Sequence, residues 1–182
     1  TNAFELLITD ESQLAGLPET ARAAARQKAE EKGQPGWRFT LQAPSYVPLM
    51  TYLDDAGIRE RVYRAYHARA SSGEHDNREL VRRIVELRRE KTRLLGCDDF
   101  ADFVLWDRMA KSGRRAARFL DDLRARTEDA FQRENRELAA FRREVEGADA
   151  PPLKPWDFAR YAEKLRQAVY DFDEEALRPY FP

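Results

Sequence analysis

Arg78-Glu79-Leu80-Val81-Arg82-Arg83-Ile84-Val85-Glu86-Leu87-Arg88-Arg89-Glu90-Lys91-Thr92-Arg93-Leu94-Leu95-Gly96 is the stretch that decides the fold class. Leu80, Ile84, Leu87, Lys91 and Leu94 recur at the spacing that places side chains on one face of an α-helix. Gly96 stands where a helix C-terminal cap is expected, since glycine takes the left-handed backbone that closes a last turn. Arg, Leu and Glu are strong helix formers, and they dominate here.

The same signals extend outward in both directions. Upstream, Ile58, Val62, Ala65, Tyr66 and Arg69 share a face behind an Asp54 or Asp55 cap, and Ser71-Ser72-Gly73 ends that helix. Val47 to Leu53 reads as a helical turn or two. A further helix begins near Pro18, a good first helical residue, runs through Ala21, Ala24, Ala25 and Ala29, and stops at Gly33. Ser12 to Ala15 forms a short turn ended by Gly16. Downstream, Asp98 or Asp99 starts a helix with Phe100, Phe103, Val104 and Trp106.

After Gly113 a long helix carries Leu120, Leu123, Thr127, Ala130, Phe131, Leu138, Phe141 and Val145. About 30 residues at the helical rise span about 45–50 Å. The Ala- and Pro-rich loop 147–155 is the best internal boundary in a single helical segment, 1–182. The last helix shows Phe158, Tyr161, Leu165, Ala168 and Phe172, and Asp173 caps a short turn through Leu177. Only Trp37-Arg38-Phe39-Thr40-Leu41 alternates as a strand does. It has no evident partner in the chain, which places the partner elsewhere in a longer protein. The fold class is all-α, with at most a short strand near residues 37–41.

Composition sets limits on function. The chain has 182 residues, 42% apolar and 36% charged, with a mean hydropathy of -0.77. That suits a folded, charge-rich chain rather than a disordered one. The formal net charge of -1, from 32 basic and 33 acidic residues, supplies no global field for nucleic acid or an anionic membrane. No apolar run approaches the ~20 residues of a membrane span. Cys97 is the one cysteine and cannot form an internal disulfide, which fits a reducing cytoplasm. Thr1-Asn2-Ala3 lacks the features of a signal peptide, and the chain starts as an excised fragment would.

Catalytic chemistry is hard to build from these residues. A zinc peptidase needs two histidines one helical turn apart beside a general base. The two histidines, His67 and His75, are separated by the Gly73 break. His67 reads as a helix-surface residue and His75 as part of a polar loop. Cys97 precedes a helix start, which can lower a thiol pKa, but no histidine lies nearby in sequence as base. The pairs Asp54-Asp55, Asp98-Asp99 and Asp121-Asp122 lie at or near expected helix starts and read as caps. Arg82-Arg83, Arg88-Arg89, Arg114-Arg115 and Arg142-Arg143 read as a solvated helix face. Glu79 before Arg83, Asp122 before Arg126 and Asp129 before Arg133 stand at ion-pair spacing. No catalytic, cofactor-binding or metal-ligating residue is assigned.

Several ordered blocks resemble peptidase family M3, the zinc oligopeptidases that include oligopeptidase A and dipeptidyl carboxypeptidase. They are Trp37 to Tyr52, Arg59 to Tyr66 with Ala68-Arg69-Ala70, Asp76 to Leu80 with Leu94-Leu95-Gly96, and Met109-Ala110-Lys111. The strongest is Pro155-Trp156-Asp157-Phe158-Ala159-Arg160-Tyr161-Ala162-Glu163-Lys164. The tail Asp173 to Phe181 looks closest to the dipeptidyl carboxypeptidase branch. The resemblance implies a mostly helical lobe lining a narrow channel that admits short peptides. It places the His-Glu-x-x-His helix and the zinc downstream of this segment. The chain alone is then expected to be inactive, with the remainder of the parent peptidase as its partner. An unpartnered strand and an apolar last helix imply self-association of the isolated segment. The alternative is a stand-alone helical protein-interaction module; a nucleic-acid-binding helical domain is opposed by the charge balance.

Overall fold

The computed structural model describes residues 4–170 and 180. The turn expected after Asp173, the end of the last helix at Phe172 and the residues Thr1-Asn2-Ala3 lie outside the described residues. Contacts divide the chain into two units, one of residues up to Arg69 together with those from Arg136 onward, the other Ala70–Asn135.

The first unit is built around a small two-stranded sheet. Strand β1 (Leu6–Ile8) pairs antiparallel with β2 (Trp37–Phe39), Leu6 opposite Phe39 and Ile8 opposite Trp37. The expectation that Trp37 to Leu41 lacks a partner in the chain is therefore overturned. Leu6-Leu7-Ile8 is too short to show a period, so alternation alone did not reveal it. The chain returns to β1 through Gly36, whose φ is 93° and whose added Cβ would lie 2.2 Å from the Ile8 carbonyl oxygen. Glu5 clamps the sheet by pairing with Arg38 of β2 and, at 2.9 Å, with Lys32.

A 3-10 turn (Glu11–Leu14) follows, capped by Asp10. Helix α1 (Glu19–Glu30) packs Ala25 and Ala29 inward. Helix α2 (Ala43–Tyr52) starts earlier than the reading Val47 to Leu53, because Pro44 occupies a first-turn position where no N–H is needed. Helix α3 (Ala56–His67) is capped by Asp55, whose carboxylate accepts the Ile58 N–H at 2.8 Å. Leu14, Leu49, Leu53 and Val62 are fully buried with Ile8 and Phe39 in one apolar cluster. Gly16 permits the corner at Leu53: its φ is 86°, and an added Cβ would meet the Tyr52 carbonyl oxygen at 2.2 Å. There the Asp54 N–H donates to the Ala15 carbonyl at 2.9 Å. Helix α7 (Phe158–Tyr170) packs against α2.

The second unit contains α4 (Arg78–Leu94), α5 (Phe100–Leu105) and the first part of α6 (Gly113–Glu146), preceded by a 3-10 turn at Gly73–His75. Asp99 caps α5, accepting the Asp102 N–H at 2.8 Å. Gly96, with φ 70°, ends α4 as the sequence predicts. Helix α6 has 34 residues, about 51 Å of helix. Asp121-Asp122 lie well inside it, so the cap reading fails for that pair; the Ser112 hydroxyl instead accepts the Arg115 N–H at 3.3 Å. Arg82 pairs with Glu79 at 2.9 Å, and Arg83 turns to Glu86 at 3.3 Å instead of to Glu79. Thr92 is the one buried residue among the described residues of this unit. The apolar side chains that stripe α4 are solvent-exposed.

Candidate functional site

The most organised polar constellation of the first unit centres on Asp157, just before α7. Its carboxylate is almost fully buried and receives three donors. Arg59 of α3 donates to Oδ1 at 2.6 Å. Arg142, near the end of α6, donates to Oδ2 at 3.1 Å, and the Lys154 N–H donates to the same atom at 3.0 Å.

Each arginine is satisfied beyond that contact. Arg59, 2% exposed, donates to the carbonyls of Leu53 and Asp54, both at 2.8 Å, and of Trp156 at 3.1 Å. Arg142 donates to Glu146 at 2.8 Å, and its guanidinium lies over the Tyr161 ring, 4.9 Å from the centroid. The Tyr161 hydroxyl donates to Glu146. One turn along α7, Arg160 and Lys164 pair with Asp54. Burial pushes the Asp54 carboxyl upward, but Arg160 and Lys164 together outweigh it and hold the group below the usual carboxylate range.

Burying ions is costly unless each is paired and hydrogen-bonded, and here four cations (Arg59, Arg142, Arg160 and Lys164) and three carboxylates (Asp54, Glu146 and Asp157) interlock. The network ties residues 53–59 to residues 142–164, and so sets where α7 begins. One reading of the sequence is corrected: Arg142 is not on a solvated face, because the 147–157 loop folds over it. Of the two cap candidates Asp54 and Asp55, Asp55 caps α3 and Asp54 joins the network. Arg59 and Asp157 carried no sequence signal of burial beyond Asp157 standing in the Pro155-Trp156-Asp157 block.

Beside the network lies an apolar groove of about 230 Å³, walled by Tyr46, Val47, Met50 and Thr51 of α2, Tyr63 of α3, and Pro155, Trp156 and Ala159. Its rings are held by mutual packing. Tyr46 stacks on Tyr66 at 4.0 Å, Trp156 tilts against Tyr63 at 5.9 Å, and Arg64 sits over Trp156 at 5.1 Å. Burial raises the Tyr46 phenol pKa, so it stays neutral at physiological pH. The groove offers apolar contact and no nucleophile.

Each of the three side chains weighed above for metal binding or nucleophilic chemistry has a local neighbour from its own stretch of chain. His67 is exposed, its Nδ1 2.9 Å from the Tyr63 carbonyl and its ring 3.9 Å from Tyr63. His75 sits in the exposed 3-10 turn, 3.5 Å from Glu74. The Cys97 thiol donates to the Leu95 carbonyl at 3.9 Å. Among the described residues no group of three or more His, Cys, Asp or Glu side chains could hold a metal ion. No helix among them is long and apolar enough to cross a membrane.

Comparison with known proteins adds the context. Residues 49–182 match the profile of peptidase family M3. Oligopeptidase A of Salmonella typhimurium is 43% identical over 187 residues, covering 100% of this chain and 27% of the relative. Oligopeptidase A of Escherichia coli is 42% identical with the same coverage. Dipeptidyl carboxypeptidase of Escherichia coli is 33% identical over 179 residues, covering 97% of this chain and 26% of the relative. Over its whole length the chain is thus more similar to these oligopeptidases A than to that carboxypeptidase, whatever the likeness of the tail. It spans about a quarter of the length of the curated relatives it matches.

Proposed function

Since this chain belongs to peptidase family M3, we propose that it is a non-catalytic helical segment of a zinc peptidase for short peptides, where it forms part of the substrate-channel wall. The observation that carries the reading is the alignment of the whole chain with about a quarter of oligopeptidase A. Its residues fit a wall better than a reaction centre. The aromatic groove at Trp156 can receive an apolar side chain, and the Asp157 network holds that groove rigid. In the complete enzyme zinc would activate water for hydrolysis, on residues this segment does not provide. The segment's own part is to exclude water and bulky substrates. We further propose that the segment works in the cytoplasm, where the lone Cys97 stays reduced.

The test is a chimera in which this chain replaces the aligned segment of Escherichia coli oligopeptidase A. It should hydrolyse a short quenched-fluorescent peptide, and the free chain with added zinc should not. An inactive but folded chimera, or zinc-dependent cleavage by the free chain, would overturn the proposal.

A further inference from the structure

Helix α4 leaves its predicted core face uncovered: Leu80 is 60% exposed, Ile84 48%, Leu87 45% and Leu94 81%. These four, with Lys91, alternate at four and three residues, the repeat by which one helix seats another. A shallow apolar groove of about 400 Å³ runs along Leu87, Leu94 and Leu95, with Glu90 the one acid at its edge. In the same unit α6 repeats the pattern at Leu120 and Leu123, also exposed.

The charge pattern says what the occupant is. Arg83 and Arg88 flank the α4 stripe, and Lys91 stands within it; Arg83 pairs with Glu86, while Arg88 lies over the Phe100 ring and Lys91 over the Phe103 ring of α5, both at 4.7 Å, so each keeps a positive charge beside the stripe. Arg124 and Arg126 flank the α6 stripe, while its acids Asp121, Asp122 and Asp129 lie toward the far side. Helix α4, RELVRRIVELRREKTRL, has seven basic residues against three acidic ones. Two copies of α4 would repel, and α6 is no better complement because its flanks are also Arg.

We infer that the α4 face and the matching stretch of α6 are docking surfaces for an amphipathic helix with an apolar heptad stripe flanked by Glu or Asp, supplied by the part of an M3 peptidase outside the aligned segment. This rests on the family reading above, in which the relatives are about four times longer than the chain, which leaves room for such a helix.

The test uses the chain itself and two synthetic helices of about three heptads. Both have Leu at the core positions; one has Glu at every flanking position and the other Lys. Binding is read by fluorescence anisotropy of the labelled peptide. The Glu-flanked helix should bind at least ~10-fold tighter than the Lys-flanked one, and more weakly as salt rises. Ile84→Glu and Leu123→Glu should each weaken it ~10-fold with helix content by circular dichroism unchanged, since both side chains are exposed. Val169→Glu, in the other unit and likewise exposed, should bind like the parent chain. Equal binding of both helices, binding of neither, indifference to the two variants, or binding only to phosphatidylserine-containing vesicles would overturn the inference. None of these outcomes depends on whether the chimera is active.

Discussion

Asp157 shows how much one buried carboxylate can organise. Truncating it leaves Arg59 and Arg142 buried with an unanswered charge, the situation that costs roughly 3–5 kcal/mol when half of a buried pair is removed. Asp157→Ala should lower the urea-unfolding free energy by about that amount; a loss under about 1 kcal/mol would mean the network is not buried as described. Replacing Arg59 and Asp157 together by Met and Leu should cost less than the two single changes summed, since neither charge is then stranded. Gly16 offers a second check. Gly16→Ala must fit a Cβ 2.2 Å from a carbonyl oxygen, whereas Gly33→Ala, at φ 64°, meets open space. Denaturant melts should show Gly16→Ala the more destabilising, by more than the ~1–2 kcal/mol of backbone strain the two share. The two glycines were legible as breaks in the sequence, but the buried network was not. Asp157 looks like any helix-start aspartate in sequence, and Arg142 like its exposed neighbour Arg143.

At the scale of elements, the strand pair is the clearest pH-sensitive piece. Hydrogen bonds from Arg38 first, then Lys32, bring the Glu5 carboxyl down from 4.5 to about 2. A depressed folded pKa adds stability above the unfolded value and loses it as protons bind. The Glu5 contribution should therefore be intact above about pH 4.5 and disappear as pH falls toward 2. Hydrogen exchange at β1 and β2 should rise across that window, and the rise should vanish in Glu5→Gln. An unchanged profile in that variant would place the acid sensitivity elsewhere. Helix boundaries were mostly readable, because caps are local: Asp55, Asp99 and Gly96 stand where the pattern puts them. The pairing of β1 with β2 was not, because a three-residue strand carries too little pattern and its partner lies about thirty positions away.

For the whole molecule, the two units differ in what holds them. The core side chains Leu14, Leu49, Leu53 and Val62 belong to the first, while the second buries Thr92 alone among its described residues. Opening free energy follows buried apolar contact, so amides of α4 should exchange faster than those of α2 and α3. Equal protection in the isolated chain would contradict this. The sequence placed exposed apolar surface on an unpaired strand and on the last helix. The strand Trp37 to Phe39 is paired, whereas Phe158 and Val169 of α7 are exposed, and α4 and the first part of α6 are bare as well. Dye that lights up on apolar surface should lose more signal on Ile84→Glu than on a polar change at Trp37.

Helical class, the long α6 and most caps follow from the chain by itself, since hydrophobic period and capping act over a few residues of backbone. The ordered M3-like blocks also stand in the sequence alone, as does the separation of His67 from His75 by a glycine break. Which charged residues go inside was decided by tertiary structure. Arg59, Arg142 and Asp157 meet only after the chain has closed a loop of about a hundred residues, and the burial that makes their pairing matter exists only in the folded unit. The exposure of α4 is likewise tertiary, because an amphipathic period says that a face wants cover and cannot say which segment covers it.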